Sequence, residues 1–119
     1  MSSSGPLYKI YTAAQWAACR AGTQLVRAPV DDADGFIHLS APSQVRGTAT
    51  KWFAGQADLV LVALDRETLE SCDLRWEPAR GGELFPHVYG AISTKAVLTA
   101  VALSDAEGNF AFPPDLPEA

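Results

Sequence analysis

The sequence predicts an α+β fold: a single domain built on one curved, mostly antiparallel, split β-sheet with two main helices. Three observations carry this. The 119 residues are the usual size of one domain with one hydrophobic core. A hydrophobic share of 48% against 19% charged is ordinary for a globular chain and argues against disorder or a coiled coil. Along the chain the pattern runs strand, helix, strand, helix and then several strands, the order of an α+β domain. The expected core spans about residues 7–104, and residues 105–119 read as an extended C-terminal tail.

Residues 7–12 alternate apolar and polar well enough for a strand, and Thr12 with Gln15 forms a capping box that starts a helix. Trp16, Cys19 and Leu25 are expected to face inward, with Gly22 as a left-handed stop. The stretch 23–35 carries Pro29, Asp31, Asp32, Asp34 and Gly35 and reads as a long loop whose acids form a solvated turn. Residues 36–40 form a short strand with Ile37 and Leu39 toward the core and Phe36, His38 and Ser40 on the other face. Ser40 is placed to cap the next helix, which tolerates Pro42 in its first turn and packs through Val45, Ala49, Trp52 and Phe53.

Residues 58–65 form an apolar run bounded by Asp58 and Asp65, the mark of a central strand covered on both faces. Residues 66–71 allow one helical turn. Residues 72–78 alternate again, with Cys72, Leu74 and Trp76 opposite Asp73, Arg75 and Glu77. Residues 83–90 form an extended segment interrupted by Pro86, and residues 96–103 return to strand composition. Gly108, Pro113, Pro114 and Pro117 leave the tail extended on the surface or frayed.

Fourteen acidic against nine basic residues give a net charge of −5, and the basic residues are scattered, so nucleic acid is not an expected partner. No apolar run approaches the roughly 18 residues of a membrane span, and the N-terminus lacks signal-peptide blocks, so a cytoplasmic location is expected. Cys19 and Cys72 lack metal or redox spacing and read as buried thiols. There is no Gly-x-Ser-x-Gly elbow and no His-x-x-x-His spacing, so neither a serine hydrolase nor a metal site is expected.

Chemistry concentrates around the two histidines. His38 shares a strand face with Phe36 and Ser40, and histidine exchanges protons or hydrogen bonds near neutral pH. A second cluster packs Arg75, Trp76, Glu77, Arg80, Phe85, His87 and Tyr89 into fifteen residues, the mixture of apolar walls and convergent polar groups that ligand sites use. Glu77 fits a base, a hydroxyl acceptor or a structural ion-pair partner. The candidates for acid/base or catalytic work are therefore His38, Glu77 and His87. Phe36, Ser40, Arg75, Trp76, Arg80, Phe85 and Tyr89 are the candidate ligand contacts.

Tyr8 through Thr12 with Trp16, residues 34–40, the run from Asp58, and Leu74 through Glu77 followed by Gly81, Gly82 and residues 84–90 together resemble a family of small bacterial proteins, a domain of unknown function numbered nine hundred and fifty-two. The resemblance covers residues 8–103. The family is similar in fold to the ADP-ribosyltransferases, whose split sheet holds NAD. That kinship implies His38 and Ser40 on the nicotinamide-side ribose and carboxamide, Tyr89 as the stacking aromatic and Glu77 as the ribose-orienting acid, with the last two in reversed chain order. Three readings follow: a non-catalytic module for a nucleotide-like or small polar ligand, which the sequence favours; an NAD-dependent enzyme of ADP-ribosyltransferase type; and two purely structural histidine motifs.

Overall fold

A computed structural model describes residues 5–114 and Leu116, with the backbone alone for Arg80. The capping box forms as the residue types dictate. Thr12 Oγ1 accepts from Gln15 N at 3.1 Å and Gln15 Oε1 accepts from Thr12 N at 2.9 Å, ending strand β1 (Leu7–Thr12) and starting helix α1 (Ala13–Ala21). Cys19 is buried on its inner side and Cys72 is half-buried. Gly22 does not stop the helix in the left-handed region; its backbone is extended, at φ −121° and ψ −166°.

Residues 23–35 are not one loop. Pro29 opens a short helix, α2 (Pro29–Asp34), with Asp31 and Asp32 in its first turn, and Gly35 closes it at φ +86°. The acids are not simply solvated either, since Asp31 is fully buried. Strand β2 (Ile37–His38) follows, with Ile37 and Leu39 in the core as expected. A 3₁₀ turn at Pro42–Gln44 leads into α3 (Val45–Trp52). Gln44 caps this entry by accepting from Ala41 N, whereas Ser40 donates its hydroxyl to Thr48 and caps nothing. Val45 and Ala49 are buried, but Trp52 is 62% exposed, because Phe53 takes the inward place at the helix end.

Strand β3 (Leu59–Leu64) is the central strand the apolar run predicts. It pairs antiparallel with β1 and with β6 (Val97–Ala102) in the order β1-β3-β6. Asp65 caps the short helix α4 (Arg66–Glu70) by accepting from Thr68 N. Strands β4 (Leu74–Pro78) and β5 (Leu84–Val88) join β2 in a second antiparallel sheet, β2-β5-β4. The expected single sheet is therefore two. They meet through one bridge, in which Tyr8 and Ser40 exchange backbone hydrogen bonds of 2.8 and 2.9 Å before Pro42 turns the chain away. Pro86 does not interrupt β5; it lies in the middle of that central strand, where its carbonyl accepts from Leu39 N.

The first sheet is covered on both faces. Leu7, Tyr11, Val62 and Leu64 pack with Cys19, Ile37 and Val88, while Ile10, Leu59 and Leu61 pack with Val45, Ala49 and Leu103. Each fully buried leucine of this kind contributes roughly 1.5–3 kcal/mol. The tail is docked rather than frayed: Ala111 N donates to Leu103 O, and Phe110, Phe112 and Leu116 pack against the second cluster. Pro117 lies outside the described residues. None of the described helices is long and apolar enough to cross a membrane.

One buried polar group breaks the strand alternation. Lys9 points into the core, where its Nζ donates to both Asp31 oxygens, at 3.0 and 2.9 Å, and to His38 O at 3.0 Å. Burial pushes the Asp31 carboxyl up, yet the His38 hydrogen bond and the Lys9 charge outweigh it and hold Asp31 at about 2. Burial lowers Lys9 from its ordinary value, and Asp31 opposes that.

Asp31→Asn leaves a buried ammonium without its counter-charge and should lower stability by about 3–5 kcal/mol, measured by urea denaturation at neutral pH. The folded-state value of Asp31 lies below the ordinary carboxyl value of about 4. Its contribution is thus complete above that value and is lost as pH falls toward about 2. Acid titrations of the wild type should show this slope, and Asp31→Asn should flatten it. At Gly108, φ is +84° and an added Cβ would clash with the Gly55 carbonyl oxygen. Gly108→Ala should lower the melting temperature by about 5 °C or more. Gly35→Ala, with nothing within 4 Å of its Cβ, should cost less.

Candidate functional site

Strand β5 lies between β2 and β4, so alternate side chains of three strands share one face of the second sheet. The register sets His38 opposite His87, Arg75 opposite His87 on the other side, and Glu77 opposite Phe85. The backbone pairing thus brings His38, Glu77 and His87 to one place from three separate segments.

Phe36 is the hub of this face. Its ring stacks on His87 at a centroid distance of 4.1 Å and lies 4.6 Å from His38 and 5.1 Å from Tyr89. The two imidazoles meet edge to face at 5.4 Å. Glu77 Oε1 accepts two hydrogen bonds, from His87 Nδ1 at 2.8 Å and from the Tyr89 hydroxyl at 2.7 Å. These bonds, His87 first, hold the Glu77 carboxyl below its usual range, and the same contact raises the Tyr89 phenol.

The two histidines differ in what they leave free. His38 Nδ1 lies 2.8 Å from Asp31 Oδ1 and Nε2 lies 2.9 Å from Asp34 Oδ2, so both nitrogens are engaged by carboxylates. An ionised carboxylate only accepts, so a ring protonated on both nitrogens satisfies both contacts. His87 uses Nδ1 alone. Among the described residues its Nε2 has no hydrogen-bond partner, and none of their buried polar side-chain atoms is left unsatisfied, so Nε2 reaches the surface of a residue that is 5% exposed.

Arg75 extends from the same face to the rim. Its guanidinium pairs with Asp73 at 3.0 Å, which raises its pKa, and lies 4.2 Å from the Tyr89 ring centroid. Phe85 is buried on the same face, opposite Glu77. Two candidates stand apart. Trp76 projects from the opposite face, with the Arg66 guanidinium 5.3 Å from its ring, and the Ser40 hydroxyl is committed to Thr48. The Arg80 side chain lies outside the described residues. No group of three or more His, Cys, Asp or Glu among the described residues is placed to hold a metal ion.

Sequence reasoning missed Lys9, Asp31 and Asp34, the residues that fix His38. A signal for Asp31 was present: Pro29 at the first helical position puts Asp31 at the third, where its Oδ2 accepts from Ala28 N at 2.8 Å. Lys9 carried no such signal, because a lysine in an alternating strand ordinarily faces water.

Three solved structures of protein CC0527 from Caulobacter crescentus share this fold. The crystal structure is 47% identical, with a TM-score of 0.79, and the match covers 87% of this chain and 90% of that one. The solution NMR structure, also 47% identical, has a TM-score of 0.74 over 87% and 89%. A double methionine mutant of the same protein is 45% identical, with a TM-score of 0.79. No curated protein matches the chain. A family model described as "Protein of unknown function (DUF952)" matches residues 10–100, including both histidine segments, and the chain belongs to that family.

Proposed function

We propose that this chain binds a small polar, nucleotide-like ligand on the face of Phe36, Glu77, His87 and Tyr89, as a binding module rather than a catalyst. The observation that carries the reading is the open Nε2 of His87 beside a locked Nδ1. Glu77, held ionised, accepts at Nδ1, so in the neutral ring the lone pair sits on Nε2. That atom then accepts from an O–H or N–H donor, such as a ribose or sugar hydroxyl. Arg75 at the rim supplies a cation for an anionic group on the same ligand.

Two observations favour binding over transfer chemistry of the ADP-ribosyltransferase kind. Both His38 nitrogens are taken by Asp31 and Asp34, which leaves none for a ribose hydroxyl. The Tyr89 ring, the candidate for stacking on nicotinamide, has Arg75 over it. NAD therefore stands among the nucleotide-like ligands to be tested and is not assigned as a cofactor. Phe36, packed against both imidazoles, supports the binding reading by holding their orientation in advance of a ligand.

The tautomer is directly measurable. At a pH where the ring is neutral, long-range proton–nitrogen NMR should show His87 protonated at Nδ1, and Glu77→Gln should release that preference; an Nε2-protonated ring in the wild type would remove the acceptor on which this reading rests. Titration with NAD, ADP-ribose and AMP, followed by amide shifts, should give binding in the millimolar range or tighter for at least one of them, with shifts at Phe36, His87 and Tyr89. His87→Ala should weaken it about tenfold, the equivalent of one hydrogen bond. No shift with any of the three at about 10 mM would sink the proposal. Release of nicotinamide from NAD by the wild type would replace binding with transferase activity.

A further inference from the structure

An exposed sheet edge is a template for another strand, and soluble proteins guard it with charge, proline, brevity or a covering segment. Three of the four edges here are guarded. The β1 edge is closed by the Tyr8–Ser40 bridge. Strand β2 is two residues long, and β4 carries Arg75, Glu77 and Pro78. The remaining edge, β6, is different. From residue 97 to residue 104 it contains no charged residue and no proline. Its end is engaged by the tail, where Ser104 bridges Phe110 and Leu103 O accepts from Ala111 N, but residues 97–102 pair with β3 on one side and with no other described strand, and Leu98 and Val101 are 55% and 41% exposed. One extra residue at Leu98 bulges the ladder at its start, leaving residues 99–102 as regular edge.

We propose that β6 pairs antiparallel with the β6 of a second copy of this chain, about a two-fold axis through Ala100, joining two three-stranded sheets into one of six. Self-pairing is argued from charge. With Ala100 opposite its own copy, Thr99 faces Val101, and Lys95, exposed in the 3₁₀ turn Thr94–Ala96 that precedes the strand, falls at the same end of the pair as Asp105 of the other copy, twice by symmetry. Hydrogen bonds to Asp105 from the backbone of Asn109 and then of Glu107 keep that carboxyl below its ordinary range, so the complementary charge is present at neutral pH. The neutral strip also lets two chains of net charge −5 approach without setting acids against acids. A short strand pair buries less than a standard interface, so the dimer is weak, with a Kd on the order of 100 μM.

Sedimentation velocity between about 10 μM and 1 mM tests this. The apparent mass should rise from 12.7 kDa toward twice that value as concentration increases. Val101→Lys should remain monomeric throughout while keeping the wild-type circular dichroism spectrum and melting temperature. Lys95→Glu should raise the Kd about fivefold. A wild type that stays monomeric at 1 mM overturns the proposal, and so does a dimer that Val101→Lys leaves intact, since the contact would then lie elsewhere.

Discussion

The carboxylate of Asp31 is the point on which the two sheets depend. It takes five hydrogen bonds: two from Lys9 Nζ, one each from the backbone and Nδ1 of His38, and one from the amide of Ala28. Those donors belong to β1, to β2 and to the entry of α2, three segments that share no continuous ladder. A carboxylate with no exposed surface persists in charged form only when its lone pairs are filled by donors and one of them carries charge. Apolar packing alone fills the space between the sheets, but it is non-directional and would tolerate some sliding of β2 against β1. The ion pair with its fan of hydrogen bonds does not.

That constraint reaches the candidate site through His38. The ring is held by Asp31 from inside and by Asp34 from the rim, so its plane is set before anything else packs on it. Phe36 then lies against His38 on one side and His87 on the other, and Glu77 ties His87 to Tyr89. The chain of contact runs from a fully buried ion pair to a partly exposed aromatic and imidazole face. Rigidity at the surface is thus inherited from the core, which is how a short strand such as β2 can present a side chain in one orientation.

Much of this was legible in the residues, and the gaps have physical causes. Local rules located Thr12 and Gln15 as a helix start and the apolar run to Leu64 as a central strand, and marked residues 36–40 and 75–89 as the two stretches that a site would join; that His38, Glu77 and His87 come together follows only from the strand register. These depend on spacing along the chain. Trp52 and Lys9 resisted for the opposite reason. Whether an aromatic at a helix end turns in depends on whether its neighbour, here Phe53, occupies the space first, and whether a lysine enters a core depends on a carboxylate twenty-two positions away. The second sheet was misjudged because Pro86 reads locally as a breaker, while in the fold its carbonyl still serves Leu39.

The two histidines were equivalent as letters, each in an apolar strand beside an aromatic, and their difference arises from the count of carboxylates. His38 meets two, and its hydrogen-bonding capacity is consumed; His87 meets one, at Nδ1. Had Asp34 lain one residue earlier or later in its helical turn, it would have pointed away from His38 and left that Nε2 open as well. Conversely, the single acid at His87 does more than satisfy a donor. In a neutral ring protonated at Nδ1, the donor that Glu77 accepts from, the lone pair lies on Nε2, and the Tyr89 hydroxyl donates to the same Glu77 oxygen. The difference between the two rings therefore rests on an asymmetry in hydrogen-bond stoichiometry that composition cannot express.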